Sequence, residues 1–297
     1  MERVQLVVVL PLGPGHNLEF VLDTLESVQC YAPDSCRIIV VDDSGTGAGD
    51  AVRAAMPELI VLRTPRCRGR CMGLCLTNTQ GFEYAWRHFE FEALLKMDTD
   101  ALMVGETLAE EAIRRFTENP EIGSLGSHRV DCMGQRRNHA HHNNLLFEEM
   151  CDAHLIMHPE REAGIRFLRG AFEKARRHGY EAGEHCQGGA YFMSRECIER
   201  MASQGLFAEE TMAPLAWTRI EDDVLFGLMM MSTGLKHGDL ATGSLPLGVK
   251  WQGLPCSPEE LLARGKKIVH SVRFYKDMDE GSIRAFFRAR REVAAAV

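Results

Sequence analysis

The sequence predicts an α/β fold in which a mostly parallel β-sheet is flanked by helices. Apolar and β-branched runs occupy residues 4–10, 37–41, 59–62 and 93–97, as expected for strands that are buried on both faces. The segments between these runs have helical patterns. Strands that alternate with helices pair in parallel and bind ligands beyond their carboxyl ends.

Capping residues set the limits of several predicted helices. Asn17 is the predicted N-cap of a helix that extends to residue 29. Ser194 follows a glycine turn and a short strand, and it is the predicted N-cap of a helix that extends to residue 204. A further helix is predicted over residues 223–231.

The middle of the chain has a weaker pattern. Residues 130–158 are rich in His, Asn, Arg and Met, and we predict a long excursion that is helical in part near its end. A basic helix is predicted next, over residues 159–178. No repeat or low-complexity linker interrupts the chain, so one domain of residues 1–297 is the simplest prediction.

Composition excludes several classes of protein. The formal net charge of −8 argues against a nucleic-acid partner, although a bound metal ion could still attract a phosphorylated ligand. The apolar runs at residues 6–12 and 224–231 are too short to span a membrane, and no signal-peptide pattern is present, so we expect a cytoplasmic protein without an integral membrane segment. The sequence is compatible with a homodimer.

The ten cysteines are expected to be reduced thiols. Cys67, Cys71 and Cys75 recur every four residues, which resembles the spacing of iron–sulfur ligands except that the last gap is one residue too long. Helical periodicity over residues 69–89 would place all three on one face. A buried helix face is therefore predicted in preference to a cluster or zinc site.

The strongest chemical motif is an apolar strand that ends in Asp98 and Asp100. Hard divalent cations prefer oxygen ligands and retain positions for phosphate oxygens. Two carboxylates on one short turn are therefore candidates for a cation that grips a diphosphate. The alternative is an acidic pair that caps the next element.

A second acidic motif, Glu221-Asp222-Asp223, precedes an apolar helix. Three adjacent carboxylates repel one another, so one of them is a candidate general base. An ordinary helix N-cap is the alternative. His270, at the end of a short apolar run, becomes a metal-ligand candidate only if it folds back onto the first acidic motif.

These motifs, and their order along the chain, resemble those of the GT-A fold glycosyltransferases, particularly of the family 2 type. The resemblance is carried by residues 7–11, 38–45, 97–100, 188–194 and 221–227, and the last two segments also resemble the Fringe-like β-1,3-glycosyltransferases. The resemblance implies a GT-A fold with a nucleotide-sugar half (residues 1–105), an acceptor half (106–275) and a C-terminal helix (276–297).

The resemblance also implies an inverting transfer of a sugar from a nucleoside-diphosphate donor, by analogy UDP, to a hydroxyl of a glycan, lipid or small molecule. Mn²⁺ or Mg²⁺ would be held by Asp98, Asp100 and His270. Either Asp222 or Asp223 would be the base. The residues expected to bind the donor are Pro11, Leu12, Asp42, Asp43, Asn78, Asp98, Thr99 and Asp100, and those expected to bind the acceptor are Gly188, Gly189, Trp217 and Glu221. For Trp217 the alternative is a partly buried position in the core.

Two side-chain groups and two rival functions complete these expectations. His139, His141 and His142 are expected to face solvent or the acceptor and not a second metal ion. The C-terminal arginines Arg284, Arg288 and Arg291 are expected near one stripe of a peripheral packing helix, and contact with an acidic membrane surface is the alternative. A sugar-phosphate nucleotidyltransferase is disfavoured because the glycines that follow the first strand include no Lys or Arg, and a non-catalytic nucleotide-sugar-binding protein is the other alternative.

Overall fold

The computed structural model of the protein describes residues 1–69 and 71–295. Residues 296 and 297 of the predicted C-terminal helix lie outside the described residues. The strands are β1 Glu2–Leu12, β2 Cys36–Asp42, β3 Ile60–Arg63, β4 Phe89–Met97, β5 Ala101–Met103, β6 Ile122–Gly126, β7 Ala190–Ser194, β8 Lys236–Asp239, β9 Leu247–Val249, β10 Ile268–His270, β11 Phe274–Tyr275 and β12 Met278–Asp279.

The helices are α1 Leu18–Tyr31, α2 Ala48–Ala55, α3 Met72–His88, α4 Leu108–Glu118, α5 Ala140–Met150, α6 Asp152–Met157, α7 Glu162–Arg177, α8 Arg195–Ser203, α9 Glu209–Met212, α10 Asp222–Ser232, α11 Pro258–Ala263 and α12 Glu280–Ala295. Short 3₁₀ turns at Pro159–Arg161 and Ala213–Leu215 join some of them. The predicted caps are confirmed, because Asn17 accepts from the backbone N–H of Glu19 and Ser194 accepts from that of Cys197.

The predicted α/β architecture is confirmed. In the described part of the chain, the central sheet has seven strands in the order β3-β2-β1-β4-β7-β6-β8. Strand β7 is antiparallel to both of its neighbours, β4 and β6, and the remaining pairs are parallel. The start of β7 therefore lies at the same edge of the sheet as the carboxyl ends of β1, β2 and β4.

Both faces of the sheet are covered, which explains the unbroken apolar character of β1. Val7 and Val9 pack into the core on the side of α3, α8 and α10, whereas Leu6 and Val8 pack on the opposite side, with α1 and α4. Their exposed fraction is 0%. Burial of this kind contributes about 1.5–3 kcal/mol per large aliphatic side chain.

A small second sheet brings a late part of the chain to the main sheet edge. Strand β10 pairs with β5 in antiparallel register, and His270 lies opposite Ala101. This pairing places the end of β10 directly beside the turn between β4 and β5.

Helix α12 packs as the peripheral helix that the sequence predicts. Two of its arginines, Arg284 and Arg288, donate to the carboxylate of Asp23 at 2.9 and 3.2 Å. Arg291 also binds Asp23. Arg284 is 1% exposed, and its Nη2 atom donates to the carbonyl oxygen of Thr99 at 2.8 Å.

The prediction that three cysteines share one buried helix face is wrong. Helix α3 begins only at Met72, so Cys67 and Cys71 precede it. Cys75 is buried, but Cys67 is exposed on a loop that Asp43 holds through the backbone N–H groups of Arg68 and Gly69. Periodicity alone could not reveal that the carboxylate of Asp43 would order these residues as a loop.

Among the described residues, no cysteine forms a disulfide and no helix is long and apolar enough to cross a membrane.

Candidate active site

An open cleft of about 290 Å³ lies at the sheet edge where β1, β2 and β4 end and β7 begins. It brings together most of the chemical motifs found in the sequence. Its lining consists of Cys71, Leu74, Lys96, Asp98, Asp100, Gln187, Gly188, Gly189, Glu221, Asp222, Asp223, Trp251, Gln252, His270 and Arg273. Five carboxylates in this set face one lysine and one arginine, so the cleft is suited to a cation.

Asp98, Asp100 and His270 converge at one end of the cleft. One potential ligand atom of each residue lies within 4.8 Å of the others. The Nδ1 atom of His270 lies 2.8 Å from the carbonyl oxygen of Lys250 and therefore carries the ring hydrogen. Nε2 is then the ring nitrogen that faces Asp100, 3.3 Å away, and a carbonyl oxygen that supports Nδ1 is usual for a histidine metal ligand.

Asp100 is surrounded by groups that stabilise its charge. Arg273 Nε lies 2.7 Å from Oδ2, and the hydroxyl of Ser271 donates to the same oxygen at 3.0 Å. Burial raises the pKa of Asp100, but the contacts with His270, Arg273 and Ser271 outweigh that effect and hold the pKa well below its usual range. Asp100 is therefore ionised and available to a cation.

Lys96 lies beneath the acidic residues. Its side chain is 1% exposed, and Nζ is 2.6 Å from Oδ1 of Asp98 and 3.8 Å from Oδ2 of Asp222. Burial lowers the pKa of Lys96, but the two carboxylates outweigh this and raise it above its usual value. A permanent positive charge therefore connects the two acidic motifs.

Asp222 and Asp223 begin helix α10 and have different surroundings. Asp222 Oδ2 accepts from the amide of Asn78 at 2.9 Å. Burial raises the pKa of Asp222 to about 7, with a further contribution from the charge of Asp223 and opposition from Lys96. Asp223 binds backbone with both oxygens, which accept from Gly188 N–H and Val224 N–H at 2.7 and 2.8 Å. Burial, and then the charge of Glu221, also raises the pKa of Asp223.

The glycine turn before β7 fits closely between the two acidic motifs. Gly189 has a φ of +92°, and a Cβ atom there would lie 2.4 Å from the ring of His270. A Cβ on Gly188 would lie 3.0 Å from the carboxylate of Asp223. The carbonyl oxygen of Gly189 accepts from the backbone N–H of Asp98 at 2.7 Å. Only glycine allows this close approach of the backbone.

Two of the residues that the resemblance assigns to donor binding, Asp42 and Asp43, have backbone partners in the fold. Asp42 accepts from the N–H groups of Ser44 and Gly49, and Asp43 accepts from those of Arg68 and Gly69. These two carboxylates therefore shape the loops at the end of β2. Neither lines the cleft described above.

The remaining predicted donor residues lie around the same edge. Pro11 and Leu12 are buried at the end of β1, in register with Val41 and Asp42. The hydroxyl of Thr99 is 3.1 Å from Nδ1 of His16. Asn78 is fully buried and contacts Asp222. None of these four lines the cleft.

The aromatic residue in the cleft is not the predicted one. Trp217 lies outside the cleft lining, and its ring packs against His154 and beneath the guanidinium of Arg161. Trp251, which is 66% exposed, lines the cleft beside His270. Sequence reasoning missed Trp251, Lys96 and Arg273. The available signal was that Trp251 follows a strand end and that Arg273 lies three residues after His270.

Comparisons with known proteins give limited information. No family model and no curated protein sequence matches the chain. A solved structure that resembles it is a mannosyltransferase from Pyrobaculum calidifontis in complex with GDP-Man and Mn²⁺, with 15% sequence identity and a TM-score of 0.45. The match covers 82% of this chain and 56% of that one, so this chain spans little more than half of its length. The identity and the TM-score are too low to transfer function.

Proposed function

We propose that the protein is a metal-dependent glycosyltransferase of the GT-A type, which moves a sugar from a nucleoside diphosphate to an acceptor hydroxyl with inversion. One observation carries the proposal: the predicted cation ligands and the predicted base line the same cleft, although Asp98 and Asp100 precede Asp222 by more than 120 residues and His270 follows it by 48. An inverting transfer needs these two components, a cation for the leaving diphosphate and a base for the attacking hydroxyl.

Asp98, Asp100 and His270 would hold Mn²⁺ or Mg²⁺. The fit is supported by the close spacing of their ligand atoms and by the hydrogen bond from His270 to Lys250, which leaves Nε2 free to bind. When bound, the ion would neutralise negative charge on the diphosphate. Arg273, whose side chain is 58% exposed, lies next to Asp100 and would contact the same phosphates.

Asp222 is our candidate for the base. Both Asp223 oxygens already accept from backbone N–H groups, which assigns Asp223 the role of positioning the Gly188 turn. Asp222 has one oxygen held by Asn78, and a pKa near 7 suits a group that must accept a proton at neutral pH. Trp251 would present its exposed ring to the sugar or the base of the donor.

The proposal is tested first by nucleotide binding. Calorimetric titration of the protein with UDP and with GDP, in Mn²⁺ and in chelator, is expected to show binding only with Mn²⁺. The Asp100→Ala variant is expected to abolish that binding. The matched control is Asp131→Ala, since Asp131 lies outside the cleft lining and caps a turn through the N–H groups of Met133 and Gln135.

The outcomes separate the proposed function from its rivals. No binding of either nucleotide with any metal would refute a nucleotide-sugar enzyme. Metal-dependent binding without release of nucleoside diphosphate from any sugar donor and acceptor would favour a non-catalytic binding protein. Formation of nucleotide sugar from a nucleoside triphosphate and a sugar phosphate would identify a nucleotidyltransferase.

A further inference from the structure

A second group of histidines lies next to the acidic motif of α10, outside the lining of the cleft. We call His139, His142 and His185 the three-histidine cluster. The Nε2 atom of His185 is 3.6 Å from Oδ2 of Asp223, and that of His142 is 3.5 Å from Oε2 of Glu221. The chemistry proposed above makes no use of these imidazoles.

The local fold holds the three rings together. His139 immediately precedes α5 and His142 lies in its first turn, and side chains three residues apart share a helix face. Gly183, at a φ of +82°, lets the loop before β7 press on this turn, since a Cβ there would lie 2.5 Å from the backbone nitrogen of Asn143. The ring of His185 is then centred 5.1 Å from that of His139 and 4.6 Å from that of His142.

Hydrogen bonding fixes which nitrogens can act as ligands. Nδ1 of His185 lies 2.8 Å from the carbonyl oxygen of Gly183, so it carries the hydrogen and Nε2 keeps its lone pair. Nε2 of His142 faces the carboxylate of Glu221, which leaves Nδ1 as the ligand atom. A histidine that binds a metal through one ring nitrogen usually donates from the other ring nitrogen to a carbonyl or carboxylate oxygen.

The cluster contains buried polar atoms that have no partner. Among the described residues, both ring nitrogens of His139, Nδ1 of His142 and Oδ1 of Asn143 are buried without a hydrogen bond. These four atoms belong to one short stretch of chain. Because buried polar atoms are nearly always satisfied, such a concentration indicates that a ligand completes the site.

We propose that His139, His142 and His185 bind a late first-row transition-metal ion, with Zn²⁺ as the expected occupant. One potential ligand nitrogen of each ring lies within 4.8 Å of the others. Small ring rotations would bring them to the separation set by Zn–N bonds of about 2.1 Å. Three imidazoles favour Zn²⁺, Ni²⁺, Co²⁺ or Cu²⁺, whereas the oxygen-rich site at Asp98 and Asp100 favours Mn²⁺ or Mg²⁺.

Arg137 competes with the ion for His185. Its Nη2 atom donates to Nε2 of His185 at 2.8 Å, and the ion takes over that lone pair. Arg137 stays anchored without it, because Nη1 donates to the carbonyl oxygens of Ser127, His128 and His185. The carboxylates of Asp223 and Glu221 offset the additional positive charge.

The test uses the full-length protein after removal of metal, titrated with Zn²⁺ by calorimetry and with Co²⁺ by visible absorption. The Asp100→Ala background removes the oxygen-rich site. We expect one Zn²⁺ per chain in this background, together with the Co²⁺ d–d bands of a histidine-rich site. Adding His142→Ala is expected to weaken binding about 100-fold or more, since the loss of a supporting partner alone costs about 10–100-fold.

His141→Ala is the matched control, because His141 neighbours the cluster in sequence but is exposed and outside it. This variant is expected to bind Zn²⁺ as the background protein does. If His142→Ala does not fold by circular dichroism, His139→Asn replaces it, since neither ring nitrogen of His139 has a hydrogen bond to lose. The proposal is overturned if the Asp100→Ala protein binds no Zn²⁺, or if the cluster variants bind it as tightly as the control.

Discussion

The buried ammonium group of Lys96 and the half-buried carboxylate of Asp98 form an ion pair of 2.6 Å at the end of β4. The same ammonium group lies 3.8 Å from Asp222, so one cation stands between the proposed metal ligand and the proposed base. Both carboxylates can remain close together in the metal-free protein because Lys96 offsets their repulsion.

Replacing Lys96 by Met is therefore expected to destabilise the metal-free protein by about 3–5 kcal/mol, because it leaves buried carboxylates without their cation. Mn²⁺ should restore part of this loss by supplying positive charge. The measurement is urea unfolding with and without Mn²⁺. Lys236→Met, at an exposed position of β8, is the control and should change the free energy of unfolding by less than about 0.5 kcal/mol. Equal stability of the two variants would refute this role of Lys96.

The identity of the base can be tested by the pH dependence of transfer. With Asp222 as the base, kcat/KM should rise with pH up to about 7 and then level off, as Asp222 loses its proton. Asp222→Asn should lower kcat/KM by about 10²–10⁴-fold and remove this rise. Asp223→Asn keeps a side-chain oxygen for Gly188 N–H, so it should retain the rise. The opposite result would assign the base to Asp223.

The raised pKa of Asp222 also predicts how stability depends on pH. Between the usual value of 3.8 and about 7, the folded state binds more protons at Asp222 than the unfolded state does. The contribution of Asp222 to the free energy of unfolding therefore falls as pH rises through that window. Asp222→Asn should remove this fall and, in chelator above pH 7, be more stable than the wild type by about 1–4 kcal/mol. Parallel stability profiles of the two proteins between pH 5 and 8 would contradict the shift.

Trp251 and Trp217 are expected to respond oppositely to replacement by Ala. Trp251 is 66% exposed in the cleft, so Trp251→Ala should weaken donor binding by about 1–3 kcal/mol and leave unfolding nearly unchanged. Trp217 packs against His154 and Arg161, so Trp217→Ala should lower the free energy of unfolding by about 1–3 kcal/mol. Its donor affinity should stay within a factor of about two. Calorimetry and urea unfolding of both variants provide the comparison, and weaker donor binding in Trp217→Ala without any change in Trp251→Ala would contradict the assignment of Trp251 to the donor.

Arg284 connects helix α12 to the turn that carries Asp98 and Asp100. Arg284→Leu removes its bonds to Asp23 and to the Thr99 carbonyl, so we expect a loss of about 3–5 kcal/mol in stability together with weaker Mn²⁺-dependent nucleotide binding. Arg290→Leu on the exposed face of α12 is the control, with an expected effect below about 1 kcal/mol. If stability falls but binding by the folded fraction does not, Arg284 supports only the fold.

The strands and their acidic ends could be predicted because the relevant signals are local. A continuous apolar run indicates a strand buried on both faces, and the acidic residues that follow β4 must lie at its carboxyl end. The other features of the site depend on contacts between side chains that are far apart in the sequence, and no local pattern reveals such contacts. Lys96 appears in the sequence as one polar residue within a strand, and nothing nearby shows that Asp222 lies beside it. The partner of Asn78 could not be predicted for the same reason. Trp217 is a candidate from sequence because it lies five residues before Asp222, whereas Trp251 lies far from the acidic motif in sequence.

The contacts that complete the cleft join distant parts of the polypeptide. Asp100 and Ser271 are 171 residues apart, Asn78 and Asp222 are 144 apart, and Asp23 and Arg284 are 261 apart. Loop closure over such separations slows folding, and a nascent chain whose helix α12 is still inside the ribosome cannot make the contact between Asp23 and Arg284. Nucleotide affinity should therefore appear only with the last step of refolding, after the secondary structure has formed, and can serve as a reporter of complete assembly.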